Sequence, residues 1–343
     1  MNKAFLSKRF EYKKGLIPEY LSPVQVRAKS DLEEKIEKGR YRFEKCSCFC
    51  GGGEDVLLAE RDYYGVYYPL VICKNCGLIR ANPRLDSNAY SEFYDKEYRR
   101  LYGEGDMDKK ILWEAKVKQG EETFNYIKDK INEKVKVVYE IGCNMGATLY
   151  VFKKNGFDVA GVDYGGENIG YGKEMSGIES LYAGGAEELI KLGRKADLVI
   201  LVHVFEHFLD LGNELRHIRK LLNPGGYLYV AVPGTFWWIK NICAGDIMGL
   251  LQNAHTYQFS FSSLNYVLQS MGFEAVAADE RIQALFKMTD KFLDKNKISE
   301  GEFEKILKYL KGIERRYQIK NFIKNIISAL GLKNLIKQVL RSR

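Results

Sequence analysis

The spacing of apolar residues changes near Val135. From there, short apolar runs alternate with segments of helical periodicity. The predicted strands are VKVVYEIG, FDVAGVD, ESLYAG, ADLVILVHV, GYLYVAVPG, FEAVAADE and RIQALFKM, and the predicted helices are ATLYVFKKNG, GENIGYGKEMSG, LGNELRHIRKLL and SFSSLNYVLQSMG. This alternation predicts an α/β fold with a mostly parallel, doubly wound sheet that is covered by helices on both faces.

The residues before this region are more charged and less regular. They predict a short helix near Asp31–Gly39 and an amphipathic helix over Ile111–Ile131, with a break at Gly103 and Gly105. Between the two helices, one residue type recurs at every fourth position, at Tyr90, Tyr94, Tyr98 and Tyr102. This spacing places the four rings on one face of a helix, where they either pack together or cover a binding site.

Positive charge is concentrated at the end of the chain. The 343 residues carry a formal net charge of +8, and no acidic residue follows Glu314. Eight basic residues do follow it, at Arg315, Arg316, Lys320, Lys324, Lys333, Lys337, Arg341 and Arg343. The first 314 residues are therefore neutral overall, which disfavours a basic nucleic-acid groove in the body of the protein.

Cysteines cluster near the N-terminus, where Cys46, Cys48 and Cys50 are followed by Cys73 and Cys76. No apolar core of a secretory signal is visible at the N-terminus, and no apolar run is long enough for a spanning helix, so we expect a cytoplasmic, reducing location. Tight cysteine pairs in that setting indicate zinc ligation. Cys48 and Cys50 are the preferred partners of the second pair, and Cys46 is a substitute ligand.

A glycine turn closes the first predicted strand of the α/β region. In VVYEIGCNMGATL, Glu140, Gly142 and Gly146 lie between a strand and a helix, and Asp163 ends the next strand. Glycines allow a close backbone approach to a ligand, and an acid at the second strand accepts ribose hydroxyl hydrogens. Glu140 would repel a pyrophosphate but attract an ammonium group, which favours S-adenosylmethionine over a dinucleotide.

Residues 138–234 resemble the class I S-adenosylmethionine-dependent methyltransferases. The resemblance is carried by YEIGCNMG, GVD, AEEL, ADLVILVHVFEH, LLNPGG and YVAVP, in the order of that family. It implies a Rossmann-like, seven-stranded sheet that binds S-adenosylmethionine. The implied cofactor-binding residues are Glu140, Gly142, Cys143, Gly146, Asp163, Ala186, Glu187 and His203. Among these, we expect Cys143 to pack as a small hydrophobic residue.

The order of a cysteine-rich lobe, a tyrosine-rich segment and this core resembles bacterial methyltransferases that act on sugars and surface polysaccharides. It predicts an arm at residues 1–40, a zinc-binding lobe with the tyrosine helix at 41–105, the methyltransferase domain at 106–290 and a basic helical tail at 291–343. The implied acceptor is a sugar nucleotide or a surface-glycan sugar, and the implied cofactors are S-adenosylmethionine and structural Zn²⁺.

The segment VHVFEHFLD follows the fourth strand, at the edge where open α/β sheets bind ligands. His207 is the candidate general base and Glu206 its orienting group, although the pair is equally able to cap the next helix. His255, in QNAHTYQFS, is a second candidate base, and Tyr98 is a candidate lid residue. His203, Glu206 and His207 also form H-x-x-E-H, a pattern able to bind a divalent ion.

The tail beyond Glu314 keeps an i, i+3, i+4 apolar rhythm between its basic residues. Its apolar positions are Ile319, Phe322, Ile323, Ile326, Ile327 and Leu330, then Leu332, Leu335, Ile336, Val339 and Leu340. Such cationic amphipathic helices bind anionic membranes, or pack on the body or on a second copy of the chain. Other function classes compatible with the sequence are a non-catalytic or nucleic-acid-binding zinc-ribbon protein and a quinone O-methyltransferase.

Overall fold

The computed structural model describes residues 2–3, 5–103, 108–294 and 301–330, with the backbone alone for residues 2–3. Two sheets organise this part of the chain. A seven-stranded sheet lies in the C-terminal two thirds, and a five-stranded sheet lies mainly in the N-terminal third. None of the helices in the described ranges is long and apolar enough to cross a membrane.

The N-terminal third forms a lobe around the five-stranded sheet. Its elements are β1 (Asn2–Lys3), α1 (Pro23–Glu37), β2 (Phe43–Glu44), β3 (Asp55–Arg61), β4 (Tyr67–Cys73), β5 (Ile79–Ala81), β6 (Arg84–Leu85), α2 (Ser87–Phe93) and α3 (Arg99–Tyr102). The helix predicted near Asp31–Gly39 begins earlier, because Ser22 caps α1 through a capping box and Pro23 occupies its first turn.

The remainder of the chain builds the larger sheet and its helices. The elements are α4 (Lys109–Ile127), β7 (Val137–Ile141), α5 (Ala147–Lys154), β8 (Asp158–Asp163), α6 (Gly166–Ser176), β9 (Leu181–Ala183), α7 (Ala186–Ile190), β10 (Ala196–Val202), α8 (Leu211–Leu221), β11 (Leu222–Ala231), α9 (Thr235–Asn241), β12 (Tyr257–Gln258), α10 (Phe261–Gln269), β13 (Phe273–Ala278), β14 (Gln283–Met288) and α11 (Glu302–Ala329).

The larger sheet has the strand order β13-β14-β11-β10-β7-β8-β9. The strands β9, β8, β7, β10 and β11 pair parallel with one another, whereas β14 pairs antiparallel with both β11 and β13. The predicted α/β fold with a mostly parallel seven-stranded sheet is therefore confirmed. The order of the strands along the chain reverses between the parallel central neighbours β7 and β10, and open sheets of this kind bind ligands at the carboxyl edge beside that point.

The central strands are apolar on both faces because both faces are covered. Along β10, Val199 and Leu201 join the core on one side of the sheet, while Leu198 and Ile200 join the core on the other side. Successive side chains of a strand point in opposite directions, so a continuous apolar run is what a doubly covered strand requires. The run LVIL thus places β10 at the centre of the fold.

The lobe also includes parts that the sequence assigned elsewhere. Strand β12 pairs antiparallel with β5, so a segment from the far side of β11 completes the edge of the lobe sheet. Residues 1–40, predicted as an arm, contribute β1, the fully buried Phe10, and α1 with its buried Leu32. Because these residues fill the lobe core, the predicted arm does not stand apart from the lobe.

The tyrosine stripe forms one continuous helical segment, in which a π-helical turn at Tyr94–Tyr98 joins α2 to α3. The ring centroids of Tyr94 and Tyr98 are 4.9 Å apart, and those of Tyr98 and Tyr102 are 4.7 Å apart. The rings therefore stack along one face, as the fourfold spacing predicts.

The C-terminal helix α11 has two different halves. Its first half is anchored, because Ile306, Leu310 and Ile313 are buried in the lobe core and Glu314 binds the guanidinium of Arg9. Its second half exposes a row of apolar side chains, at Ile319, Phe322, Ile323, Ile326 and Leu330. The second predicted tail helix, with Leu332, Lys333, Leu335, Ile336, Lys337, Val339, Leu340, Arg341 and Arg343, lies outside the described residues, as does Gly105.

Two glycines of α6 provide a test of the packing. A Cβ at Gly172 would overlap the carbonyl oxygen of Met145, a backbone atom, whereas a Cβ at Gly170 meets nothing within 4 Å. We expect Gly172→Ala to lower the free energy of unfolding by about 1–3 kcal/mol through overpacking. Gly170→Ala should raise it by up to about 1 kcal/mol, because alanine favours the helix. Denaturant unfolding of both variants measures this, and equal stabilities would contradict the packing.

Candidate functional site

The glycine turn after β7 depends on its two glycines. Gly142 has φ +73° and Gly146 has φ +71°, which non-glycine residues rarely adopt. A Cβ at Gly142 would also overlap Cγ2 of Val204, which follows β10. The turn and the loop after β10 are therefore in contact, so the two predicted site regions form one place at the carboxyl edge of the sheet.

Asp163 holds the turn in shape. One carboxylate oxygen accepts the N–H of Asn144 at 2.9 Å, and the other accepts the N–H of Gly165 at 2.8 Å. Asn144 itself has φ +51°, a left-handed backbone conformation that side-chain-bearing residues rarely adopt. The acid predicted to face a ribose thus also joins the ends of β7 and β8.

Glu140 is a buried carboxylate beside this turn. It is 3% exposed, and its Oε2 has no hydrogen-bond partner among the described residues. Burial raises the pKa of Glu140 to about 8, and contact with Thr148 only partly opposes that effect. A buried carboxylate with a free oxygen favours a cation at that place, because an ammonium group restores the ionised form.

The other residues predicted for the cofactor lie around the same edge. Cys143 is buried, and burial raises the pKa of its thiol well above the ordinary value, which agrees with a packing role. Ala186 and Glu187 begin α7, and a carboxylate oxygen of Glu187 accepts the N–H of Gly185 at 3.2 Å. His203 follows β10 with φ +55°.

Three histidines surround the buried Glu206. The Nδ1 atom of His203 lies 3.5 Å from Oε1 of Glu206, and the Nε2 atom of His207 lies 4.0 Å from the same oxygen. The ring of His255 is 4.9 Å from that of His207. Neither carboxylate oxygen of Glu206 has a hydrogen-bond partner within the described ranges. The structure thus brings the candidate bases His207 and His255 together at one carboxylate.

Burial and neighbouring groups shift the pKa values of both Glu206 and His255. Burial alone would raise the pKa of Glu206, yet contact with His203 and the proximity of the His207 and His255 imidazoles lower it to about 2. Burial and the neighbouring His207 lower the pKa of His255 to about 3. Glu206 therefore stays ionised at neutral pH, and His255 stays neutral.

Tyr94 orients His207, a contact that sequence reasoning missed. The Nδ1 atom of His207 lies 2.8 Å from the hydroxyl oxygen of Tyr94 and 2.9 Å from the carbonyl oxygen of Ala254. A carbonyl oxygen only accepts, so Nδ1 carries the proton and Nε2 keeps the lone pair. The predicted lid residue Tyr98 stacks on Tyr94 rather than on the imidazole, because the phase of the helix points Tyr94 at His207.

The predicted H-x-x-E-H pattern is rearranged in space. Metal-ligand atoms of Glu206, His207 and His255 lie within 4.8 Å of one another, so His255 joins the first two instead of His203. His203 contacts Glu206 from the more exposed side, and its ring centroid is 6.1 Å from that of Trp238.

The cysteine cluster is compact. The Sγ atoms of Cys48 and Cys76 are 3.5 Å apart, those of Cys50 and Cys73 are 3.7 Å apart, and all four lie within 4.8 Å of one another. A tetrahedral zinc site with bonds of 2.3 Å has sulfur–sulfur separations of about 3.8 Å, so these residues fit such an ion. Cys46 points elsewhere, since its Sγ lies 3.7 Å from the carbonyl oxygen of Ala81.

Comparison with known proteins identifies the larger domain. Residues 118–278 match the family model described as a methyltransferase domain. Similar curated proteins include a ubiquinone biosynthesis O-methyltransferase of Azorhizobium caulinodans, 33% identical over 98 residues, which are 27% of this chain and 39% of that protein. Another is the C-methyltransferase NovU of Streptomyces niveus, 31% identical over 144 residues, which are 41% of this chain and 33% of that protein.

Solved structures similar to the chain include Streptomyces venezuelae DesVI, with 14% identity, a TM-score of 0.39, and coverage of 58% of this chain and 98% of that one. The amino pentose methyltransferase CalS10 of Micromonospora echinaspora has 16% identity and a TM-score of 0.37, covering 57% and 96%. The chain spans well under half the length of the two curated relatives. Residues 118–278 are thus similar to a methyltransferase domain, and they contain six of the seven strands of the larger sheet.

Glu140 predicts a pH dependence of cofactor binding. Because burial raises its pKa to about 8, Glu140 is mostly protonated at pH 7 in the free protein. A bound ammonium group favours the ionised form, so binding releases a proton. The affinity for S-adenosylhomocysteine should therefore rise between pH 6 and 8, by up to about tenfold per pH unit. Calorimetric titration at several pH values, in two buffers of different ionisation enthalpy, measures both effects.

The matched variants are Glu140→Gln, which should lose the pH dependence, and Glu121→Gln on the exposed face of α4, which should keep it. An affinity of the wild-type protein that stays constant from pH 6 to 8 would contradict this role of Glu140.

Proposed function

We propose that the protein transfers a methyl group from S-adenosylmethionine to a small sugar-type acceptor, either a sugar nucleotide or a surface-glycan sugar. The observation that carries this proposal is the cluster of His207, His255 and Tyr94 around the buried Glu206, which follows Val204, the residue in contact with the glycine turn. This arrangement offers a proton acceptor at the edge where the domain binds its cofactor. It fits an acceptor whose hydroxyl group, or C–H beside a carbonyl, must lose a proton.

The cofactor site combines charge and close backbone approach. Glu140 holds the ammonium group, and the turn at Gly142 and Gly146 lets the backbone approach the methionine part. Asp163 accepts from the ribose hydroxyls, although its oxygens also keep two backbone bonds. Ala186 and Glu187 lie near the adenine, His203 lies on the loop after β10, and the buried Cys143 packs within the turn.

Bound S-adenosylmethionine supplies the electrophilic methyl group. The protein aligns the acceptor with it, because methyl transfer is an in-line displacement. His207 accepts the acceptor's proton at Nε2, since Nδ1–H is held by the carbonyl oxygen of Ala254. The ionised Glu206 stabilises the resulting imidazolium at 4.0 Å. His255 is the second base at this cluster, and Tyr98 supports Tyr94 by stacking against it.

The lobe holds structural zinc in this proposal, through Cys48, Cys50, Cys73 and Cys76. Four thiolates around one ion leave no open position for substrate, so the metal stabilises the lobe rather than reacting. Cys46 remains a spare thiol, because its Sγ lies against Ala81 and Asn82.

The sugar-type acceptor is supported by the order of parts along the chain, which resembles that of sugar-nucleotide C-methyltransferases. The match to a C-methyltransferase also spans more of the chain, 144 residues, than the match to the ubiquinone-pathway enzyme, 98 residues. The domain boundaries at 105 and 290 belong to the same proposal, with the predicted arm at 1–40 packed into the lobe, as does a cytoplasmic location.

The second half of α11 binds the inner face of an anionic membrane in this proposal. In its apolar row, Phe322 is 66% exposed and Ile323 is 50% exposed. Cationic side chains accompany the row, at Arg315, Arg316, Lys320 and Lys324. Burial of the apolar row in the interface, together with about 1 kcal/mol of attraction per basic residue, provides reversible binding.

Replacing His207 tests the catalytic role. We expect His207→Gln to lower the rate of methyl transfer by about 10²–10⁴-fold, because the acceptor loses its base. Affinity for S-adenosylhomocysteine should stay within about threefold. Methyl-labelled S-adenosylmethionine with a panel of nucleotide-linked hexoses and lipid-linked glycans measures the rate.

The matched control is His217→Gln on α8, which should behave as wild type. A His207→Gln variant with wild-type turnover would contradict the base role. If the protein methylates a quinol precursor but gives no labelled product with any sugar of the panel, the proposed acceptor class is contradicted.

Replacing Ile323 tests the membrane role. Ile323→Glu removes apolar area and adds a negative charge, so binding to vesicles of anionic phospholipid should weaken by about tenfold or more. Ile111→Glu makes the same change on α4, where Ile111 is 60% exposed, and should not weaken binding. Co-sedimentation measures both. Equal binding of Ile323→Glu and wild type, or no wild-type preference for anionic over neutral vesicles, would sink the membrane proposal.

A further inference from the structure

The backbone around His255 is held by the lobe, not by the methyltransferase sheet. The hydroxyl of Tyr68, on β4, donates to the carbonyl oxygen of His255 at 2.5 Å. The N–H of Ala81, on β5, donates to the carbonyl oxygen of Thr256 at 2.9 Å, and β12 then pairs with β5. The candidate base His255 therefore lies just before β12, the strand that joins the lobe sheet.

The residues just before His255 are bound by the lobe in the same way. The N–H of Asn253 donates to the buried carboxylate of Asp62 at 3.1 Å, and the hydroxyl of Tyr90 donates to the carbonyl oxygen of Asn253 at 3.0 Å. The N–H of Ala254 donates to the hydroxyl oxygen of Tyr102 at 3.2 Å. Four successive residues thus have a backbone bond to the lobe.

The side chain of Thr256 also binds the loop after β10. The hydroxyl of Thr256 lies 2.9 Å from the carbonyl oxygen of Glu206 and 2.6 Å from that of Phe208. The imidazole of His255 itself is buried, and its Nδ1 has no hydrogen-bond partner among the described residues. With no hydrogen bond at Nδ1, the ring depends on its packing against His207 and on its backbone, which the lobe binds.

A turn that contains Cys76 joins the two strands, β4 and β5, that hold this backbone. Cys73 is the last residue of β4, and β5 begins three residues after Cys76. The turn between them is closed by a bond from Gly77 N–H to Cys73 O at 2.9 Å and by one from Cys73 N–H to Leu78 O at 3.1 Å. Cys48 and Cys50 bring a separate segment to the same point, so a shared ion ties this hairpin to the rest of the lobe.

We propose that Tyr68 and the strand pair β5–β12 position His255 for catalysis, and that the four-cysteine cluster anchors this pair. The inference rests on the catalytic role given to His255 in the proposed function. Loss of the metal, or of the Tyr68 hydroxyl, then displaces the His255 imidazole. Cofactor binding persists, because Glu140, Gly142 and Asp163 belong to strands of the other sheet and to the turns that follow them.

Histidine NMR tests this placement without knowledge of the acceptor. The chain has four histidines, so labelling with ¹³C-histidine gives four imidazole signals, which single His→Gln variants assign. The Tyr68→Phe substitution keeps the buried ring and removes only the hydroxyl. In this variant the His255 signal should shift or broaden, while the His217 signal stays in place. Tyr126→Phe is the matched control, because the Tyr126 hydroxyl donates to a backbone carbonyl at Gln283, away from the His255 segment.

Metal removal gives the second arm. After chelation, with metal content measured, we expect the His255 signal to change and hydrogen exchange of the amides at 79–81 and 256–258 to accelerate. The affinity for S-adenosylhomocysteine should remain within about threefold in Tyr68→Phe and in the metal-free protein. Re-addition of Zn²⁺ should restore the original His255 signal.

An unchanged His255 signal in both Tyr68→Phe and the metal-free protein would overturn the inference. So would a loss of S-adenosylhomocysteine binding that parallels the change, since this indicates general unfolding rather than positioning. Failure of the proposed function would give a different result. The metal-loaded wild-type protein would then bind no S-adenosylhomocysteine, although Tyr68→Phe would still change the His255 signal.

Discussion

A buried carboxylate without a hydrogen-bond donor requires polar partners close by, and the site around Glu206 supplies three imidazoles. Glu206 is 2% exposed, and imidazoles approach it from three directions. His203 reaches it from a backbone with φ +55°, a conformation that costs a side-chain-bearing residue free energy. The same carboxylate that is expensive to bury is then ready to stabilise a proton on His207 during the reaction.

This requirement also connects the two sheets. The loop after β10 supplies Glu206 and His207, whereas the lobe supplies Tyr94 and binds the backbone of His255. Neither sheet alone contains the complete cluster. The lobe therefore acts as half of the candidate catalytic centre, and the cysteine cluster, packed against the methyltransferase domain through Phe49 and Tyr266, lies at the junction of the two parts.

Much of the larger domain could be predicted from the sequence, because local signals determine it. The apolar run of β10 and the positive-φ glycines at 142 and 146 are readable without any long-range contact. The pairing of β12 with β5 was not readable, because two residues carry no strand periodicity and their partner lies about 180 positions earlier. Tyr94 was missed because fourfold spacing defines a face but not which ring points at His207.

The central claim is that the carboxyl edge beside β7 and β10 binds S-adenosylmethionine for methyl transfer. Calorimetric titration of the folded, metal-loaded wild-type protein with S-adenosylhomocysteine, and separately with NAD, tests it most directly. The account predicts saturable one-to-one binding of S-adenosylhomocysteine and no heat of binding with NAD. Absence of S-adenosylhomocysteine binding, or binding of NAD in its place, would contradict it.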